Sequence, residues 1–349
     1  MSSGTSLPRP SGSPSPVPGR PVVVLLGAGG FVGGAVRAVL EETGAEVRAV
    51  AAPRLEAAAS GAAELAAEAG RLDAERARLA RAFLGADAVI NAAGLAVPDA
   101  ADSPALRGAN ALLPVLAADA AEAAGVRRFV HLSSAAVQGH RPCLDESGQV
   151  EPFSPYSRSK ALGEQALAAR PAGSCSVVTI RATSVQGPGR PTTERLARLA
   201  GSPLASVAAP GTAPTPVSSV DALARFVQLV AMYPGDVPAV VLQPWEQASV
   251  SDVLQAAGGR RPLHLPAWLC RLVLRVGYGL SSLASERLHG PLRRVELMWF
   301  GQRQEPGWAE RTGNVPAPSV HAVLRRAGAG RRNRPGATRR PAPRRHSNR

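Results

Sequence analysis

The chain alternates short, unbroken apolar runs with longer segments of helical periodicity. Residues 21–26 (PVVVLL) form such a run, the pattern of a parallel strand buried on both faces. It enters Gly27-Ala28-Gly29-Gly30-Phe31-Val32-Gly33-Gly34 and continues as a helical stretch to about residue 42. Further strands are predicted at 46–51, within 87–94, at 128–133 and at 177–181. Residues 55–70 and 156–168 read as helices, rich in Ala, Leu, Glu and Gln. Strands alternating with helices predict an α/β fold with a doubly wound parallel sheet, followed from about residue 236 by a smaller α+β lobe. In that lobe 249–257 is a short helix. Residues 266–283 are apolar, with Trp268, Leu269, Leu272 and Val276 at helical spacing. Arg271 and Arg275 interrupt this segment and Gly277 and Gly279 weaken its end, so it does not read as a membrane span. A lid or core helix is expected there, with a membrane-surface helix as the minor alternative.

The ends differ from the middle. Residues 1–20 are Ser, Gly and Pro with two arginines and no apolar h-region, so they read as a disordered tail rather than a secretory signal. The net charge is +14, but ten arginines and no acid lie between Arg325 and Arg349, leaving about +4 for the rest. Residues 327–349 are expected to be a disordered Arg/Pro-rich tail. A solvated tail is the preferred reading, so nucleic acid is not expected as a partner. Cys143, Cys175 and Cys270 lack metal-type spacing, so no metal is expected, and a reducing cytoplasm fits best. The expected organisation is 21–235 for the nucleotide-binding domain, its substrate loop within 184–215, and 236–326 for the lobe.

Candidate chemistry gathers at Ser134 and at Ser154-Pro155-Tyr156-Ser157-Arg158-Ser159-Lys160. Lys160 is the only lysine among 349 residues. Lysine offers a compact ammonium where arginine offers a broad planar fork, so a single lysine four residues after a tyrosine reads as a required ammonium. On a helix those two positions share a face. The ammonium is expected to favour phenolate and lower the Tyr156 pKa, making it an acid or base near neutral pH. A glycine-rich turn set directly between strand and helix is also a strong sign of dinucleotide binding: it allows a tight turn, close backbone approach to pyrophosphate, and phosphates at a helix N-terminus.

Together these features resemble the extended short-chain dehydrogenase/reductase family, the NAD(P)-dependent sugar-nucleotide epimerases, dehydratases and reductases. The likeness runs over roughly residues 21–325 and is strongest before 190. It implies a Rossmann-type domain in which Ser134, Tyr156 and Lys160 are catalytic. The implied cofactor contacts are Gly27, Gly30, Phe31, Val32, Gly33, Arg54, Leu72, Ala92, Ala93, Gly94 and Asn110, with Tyr156 and Lys160. Arg54 follows the second strand where NAD-preferring enzymes carry an acid, so NADP is preferred over NAD. Arg71 replaces the acid usual beside adenine, and Asp73 reads as a helix N-cap. Asn110 reads equally as a cofactor contact or as a capping or core amide.

Ala135 and Ala136 stand where 4,6-dehydratases of the family carry Asp-Glu, which argues against dehydration. Gln138 and Gln186 replace family aromatics and can line the substrate pocket. Asp221 reads as a helix cap. The resemblance implies a cytoplasmic, homodimeric ketoreductase or epimerase of a nucleotide sugar. A reductase of a non-sugar ketone, or a non-catalytic NADP sensor, is the alternative.

Overall fold

A computed structural model describes residues 19–96, 101–283 and 289–332. Strand β1 (Val22–Leu26) turns into α1 (Phe31–Glu42). Then come β2 (Glu46–Val50), α2 (Ala62–Gly70), α3 (Asp73–Phe83) and β3 (Ala88–Asn91). Next are α4 (Pro104–Arg107), a π-helical turn (Gly108–Leu112), α5 (Leu113–Ala123) and β4 (Arg128–Ser134). A 3-10 turn (Ala135–Gln138) and β5 (Cys143–Leu144) lead to α6 (Pro155–Ala168) and β6 (Ser176–Ala182). The chain continues through β7 (Ser184–Gln186), α7 (Pro191–Ala200), β8 (Ser206–Ala208), β9 (Val217–Ser219), α8 (Val220–Met232) and β10 (Val240–Leu242). It ends in α9 (Val250–Gly258), β11 (Leu263–Leu265), α10 (Ala267–Leu283), α11 (His289–Phe300), β12 (Arg303–Gln304), α12 (Trp308–Arg311) and α13 (Val320–Arg332).

The central sheet is parallel and six-stranded, in the order β10-β6-β4-β3-β1-β2. Its inner strands β1, β3 and β4 are buried because both faces are covered, whereas the edge strand β2, with Glu46 and Arg48, is largely exposed. In β1, Val23 and Leu25 enter the core under α1 and α8, while Val24 and Leu26 enter the core under α3, α5 and α6. This is the expected α/β doubly wound architecture. Strand order reverses at β1 and β3, so the carboxyl ends of β1, β3, β4 and β6 open on one crevice.

The lobe core holds Ala200, Val207, Val253, Leu254, Val320 and Leu324, contributed by α7, β8, α9 and α13. The chain crosses between sheet and lobe more than once: α7 and β8 precede residue 235 yet pack in the lobe, and β10 follows it yet completes the sheet. Glu246, buried in this junction, ties the two parts. Its carboxylate accepts from the Ser219 backbone N–H at 2.6 Å and the Ser219 hydroxyl at 2.9 Å, where α8 begins. It also accepts from the N–H groups of Ser319 and Val320 at 2.6 and 2.7 Å, where α13 begins. One carboxylate thus meets the orphan donors of two helix N-termini.

Several local expectations are corrected. Helix begins at Ala62, not at 55, because 51–60 run as irregular chain that buries Ala57 and Ala59 in the core and bonds Ala57 N–H to the Pro104 carbonyl at 3.0 Å. Asp73 is the first residue of α3 rather than its cap; Leu72 precedes it, and the Asp73 carboxylate pairs with Arg76. Ser219, not Asp221, caps α8 by accepting from Ala222 N–H. Residues 327–332, expected to be disordered, form the last turns of α13, whose Leu324 and Val323 side chains anchor it in the lobe. The remaining parts of both expected tails, 1–18 and 333–349, lie outside the described residues.

Candidate active site

The turn after β1 is shaped by close backbone approaches. Gly27 has φ 80°, and a Cβ there would lie 2.6 Å from the Ala93 N. A Cβ on Gly33 would lie 2.0 Å from the Gly27 carbonyl, so only glycine lets α1 sit against the turn. The N-cap of α1, Gly30, makes no side-chain cap bond, and the first turn carries no acid. The helix start therefore keeps N–H groups and a positive dipole end for an anion. Across the turn, Ala92, Ala93 and Gly94 continue from β3 as a surface of small residues, held by the Asn91 side chain accepting from Ala93 N–H at 3.1 Å. These features suit a pyrophosphate-bridged dinucleotide.

A cavity of about 500 Å³ opens beside this turn. Val32, Ala92, Ala93, Gly94, Ser134, Tyr156 and Lys160 all line it, so the structure brings together all three catalytic candidates and part of the expected cofactor surface. Ser134 closes β4, where its hydroxyl also accepts from Ala136 N–H at 3.2 Å. Tyr156 and Lys160 rise from α6, which starts sharply because Ser154 and Ser157 form a reciprocal capping box around Pro155. The Tyr156 hydroxyl lies near enough to the Ser134 hydroxyl for that group to favour the phenolate.

The electrostatics differ from expectation. Burial raises the Tyr156 pKa, opposed by the nearby Ser134 hydroxyl and by the charge of Arg190. Lys160 shares a helix face with Tyr156, but its ammonium reaches past the ring and donates to the Leu132 carbonyl at 2.8 Å. The expected lowering of the phenol by Lys160 is therefore corrected: burial dominates, and the cation that favours phenolate is Arg190. Burial also pushes the Lys160 ammonium down to about 8, against the raising effect of Glu164 one turn on. His131, buried behind Lys160, is held well below the usual imidazole range by burial and by that ammonium.

Arg190 was not foreseen. It follows the Gly187-Pro188-Gly189 turn, stacks its guanidinium 5.0 Å over the Phe31 ring, donates to the Val185 carbonyl and lines the cavity. Arg78 was also missed. It lies on α3 and lines a shallow depression at the end of β2 with Arg54, while Glu75 borders the same space.

Other expected residues have structural work. Asn110, on the π-helical turn, spends both amide hydrogens on Leu95 O (3.1 Å) and Ser159 Oγ (3.0 Å), and accepts from Leu95 N–H at 2.9 Å. It holds the loop after β3 and does not line the cavity. Leu72 packs against the core beneath α3 and lines neither recess. Gln138 is fully buried, donating to Asp145 at 2.7 Å and accepting from Asp145 N–H at 3.0 Å, so it is no pocket amide. Gln186 does line the cavity, held by Thr193 and Ser184. Among the described residues, no Asp or Glu lines the cavity and none of the described His, Cys, Asp and Glu side chains forms a metal-type cluster.

A family model for the NAD dependent epimerase/dehydratase family matches residues 23–221, more than half of the chain. The chain belongs to that family. It is thus an NAD(P)-dependent enzyme of the epimerase/dehydratase type, with the family's Rossmann-type nucleotide-binding sheet. No curated protein sequence matches it. Among solved structures, MoeE5 in complex with UDP-glucuronic acid and NAD is 27% identical, with TM-score 0.52 over 70% of this chain and 84% of that one. UDP-glucuronic acid 4-epimerase from Bacillus cereus, with NAD, is 17% identical (TM-score 0.56; 87% and 94% covered) and shares the fold. So does the human epimerase family protein SDR39U1 with NADPH, at 20% identity (TM-score 0.57; 88% and 99% covered). Among the described residues no helix is long and apolar enough to cross a membrane.

Proposed function

We propose that the protein is an NADP(H)-using ketoreductase or epimerase acting at a keto- or hydroxyl-bearing carbon, with Tyr156 as its proton-transfer group. The observation that carries this reading is that Ser134, Tyr156 and Lys160 line one cavity in which no described carboxylate takes part. Ser134 can donate to the substrate oxygen while the Tyr156 hydroxyl gives or takes the proton there. A bound nicotinamide supplies or accepts the hydride. Lys160, fixed by Leu132 O beside Gly94, is near enough to the small-residue surface to grip the cofactor ribose. A Tyr156 kept protonated by burial is a proton donor at rest, which suits net reduction of a carbonyl. Ala135 and Ala136 present only methyl groups to the cavity, so the Asp-Glu pair that would drive elimination of water has no counterpart there.

NADP is preferred because Arg54 and Arg78 border one depression at the end of β2, and two guanidinium groups suit a 2′-phosphate. The substrate is a nucleotide sugar by analogy with MoeE5, whose structure is a complex with UDP-glucuronic acid and NAD. One observation favours a second substrate class. The lobe side of the cavity is apolar, built from Leu196, Val217, Val253, Leu254, Leu297 and Met298, which suits a non-sugar ketone.

The test is NADPH turnover with a panel of nucleotide-sugar ketones and apolar ketones, for the wild type and Tyr156→Phe. Net NADPH oxidation that Tyr156→Phe lowers by about a hundredfold or more supports the reductase. Sugar inversion without net oxidation identifies an epimerase. Turnover unchanged by Tyr156→Phe overturns the assignment.

A further inference from the structure

Helix α10 is amphipathic with the wrong face covered. Cys270, Leu274 and Ser281 are buried against the lobe, so the helix is already packed on one side. On the other side Trp268, Leu272, Val276 and Leu280 recur every fourth residue, a single stripe along the helix. Their exposures are 66%, 51%, 54% and 60%, and Val273 widens the stripe at 48%. Leu263, just before the helix, is 57% exposed as well. Apolar side chains aligned over four turns are more than scattered surface leucines and mark a docking face.

The charge around the stripe points to the occupant. From 253 to 283 the chain carries Arg260, Arg261, Arg271 and Arg275 and no acid. Arg271 and Arg275 lie on α10 beside the stripe, one of them braced over the Phe300 ring at 5.4 Å. Two copies meeting through this face would bring identical arginines together, whereas an anionic surface complements them. A helix with Trp and Leu on one face and Arg at its border, too charged and too short to span, is the form that lies in the plane of a bilayer interface.

We propose that α10 docks the enzyme on an anionic membrane surface, with Trp268, Leu272, Val276 and Leu280 entering the headgroup boundary and the arginines meeting lipid phosphates. The geometry couples this surface to the cavity. α10 packs on α11, and α11 turns Arg294, Leu297 and Met298 into the cavity wall. A docked enzyme therefore holds its cavity one helix away from the lipid. The inference stands on α10 alone and is independent of the substrate assigned above.

The experiment is sedimentation of the full chain with phosphatidylcholine vesicles, with and without phosphatidylglycerol, for the wild type and Leu272→Glu/Val276→Glu. Both substituted side chains are exposed, so circular dichroism and NADPH binding should match the wild type. The expected result is binding to the anionic vesicles that falls at least about tenfold in the variant. Trp268 is the one exposed tryptophan of four, so its emission should shift to the blue on binding, and Trp268→Phe should remove the shift. Equal vesicle binding by variant and wild type would assign it to the Arg-rich end of the chain and overturn the proposal. No wild-type binding, or a wild-type dimer in sedimentation velocity that the variant dissolves, would overturn it too.

Discussion

The Lys160 ammonium donates to the Leu132 carbonyl at 2.8 Å, joining the helix that carries Tyr156 to the strand that carries Ser134. The same burial that fixes this bond holds the Lys160 pKa near 8 rather than at the ordinary value of 10.5. Between those values the unfolded chain binds the extra proton and the folded chain does not. Stability therefore rises with pH across that window, and below it the buried charge costs about 3 kcal/mol.

Replacing Lys160 by Met removes that cost and loses about one hydrogen bond at Leu132. Urea unfolding at pH 7 should show the Lys160→Met apoenzyme more stable by roughly 2 kcal/mol, with turnover lost. Its stability should no longer climb between pH 8 and 10.5. A variant less stable than the wild type at pH 7 would contradict the assigned cost.

Arg190 supplies the charge that draws the Tyr156 pKa down. Arg190→Gln should move the Tyr156 limb of the kcat/KM profile upward, while Arg190→Lys should hold it near the wild-type position. A profile that ignores both substitutions would remove Arg190 from the site's electrostatics.

The depression at the end of β2 predicts cofactor choice. Arg54→Ser with Arg78→Ser should weaken NADPH binding by at least about tenfold and leave NADH binding within about twofold, measured by fluorescence titration. Equal loss for both cofactors would mean that the arginines do not read the 2′-phosphate.

Arg181 and Glu164 form an ion pair at 2.7 Å with side chains 1% and 5% exposed, and Arg181 also donates to the Asp145 and Ser147 carbonyls. Removing one partner leaves the other buried and unpaired. Glu164→Gln should destabilise the fold by about 3–5 kcal/mol in urea unfolding, whereas Arg37→Gln, whose exposed pair with Glu41 is solvated, should cost under about 1 kcal/mol.

Much of the architecture was legible because its signals are local. The 21–26 run, the glycines at 27, 30 and 33, and the Tyr156–Lys160 spacing each state their own geometry. What could not be read depends on long-range placement. Spacing put Lys160 on the Tyr156 face but could not say that its long side chain would reach Leu132, nor that burial would outweigh charge. Arg190 and Arg78 join the site only because a Pro-Gly turn and α3 fold back on it. Gln138 reads like a pocket amide until Asp145 is found beside it. Periodicity announced α10 as amphipathic, yet nothing local says which of its faces the lobe covers.

The Glu246 carboxylate has a consequence for how the molecule is made. Its partners at Ser219 are synthesised before it, but those at Ser319 and Val320 emerge only after another seventy-three residues have been added. Until then the nascent chain carries a carboxylate whose final burial lacks half its donors, so the junction stays open to water. The arrival of α13 is therefore the latch of assembly, and a ribosome stalled before residue 319 would hold a sheet without its closed lobe.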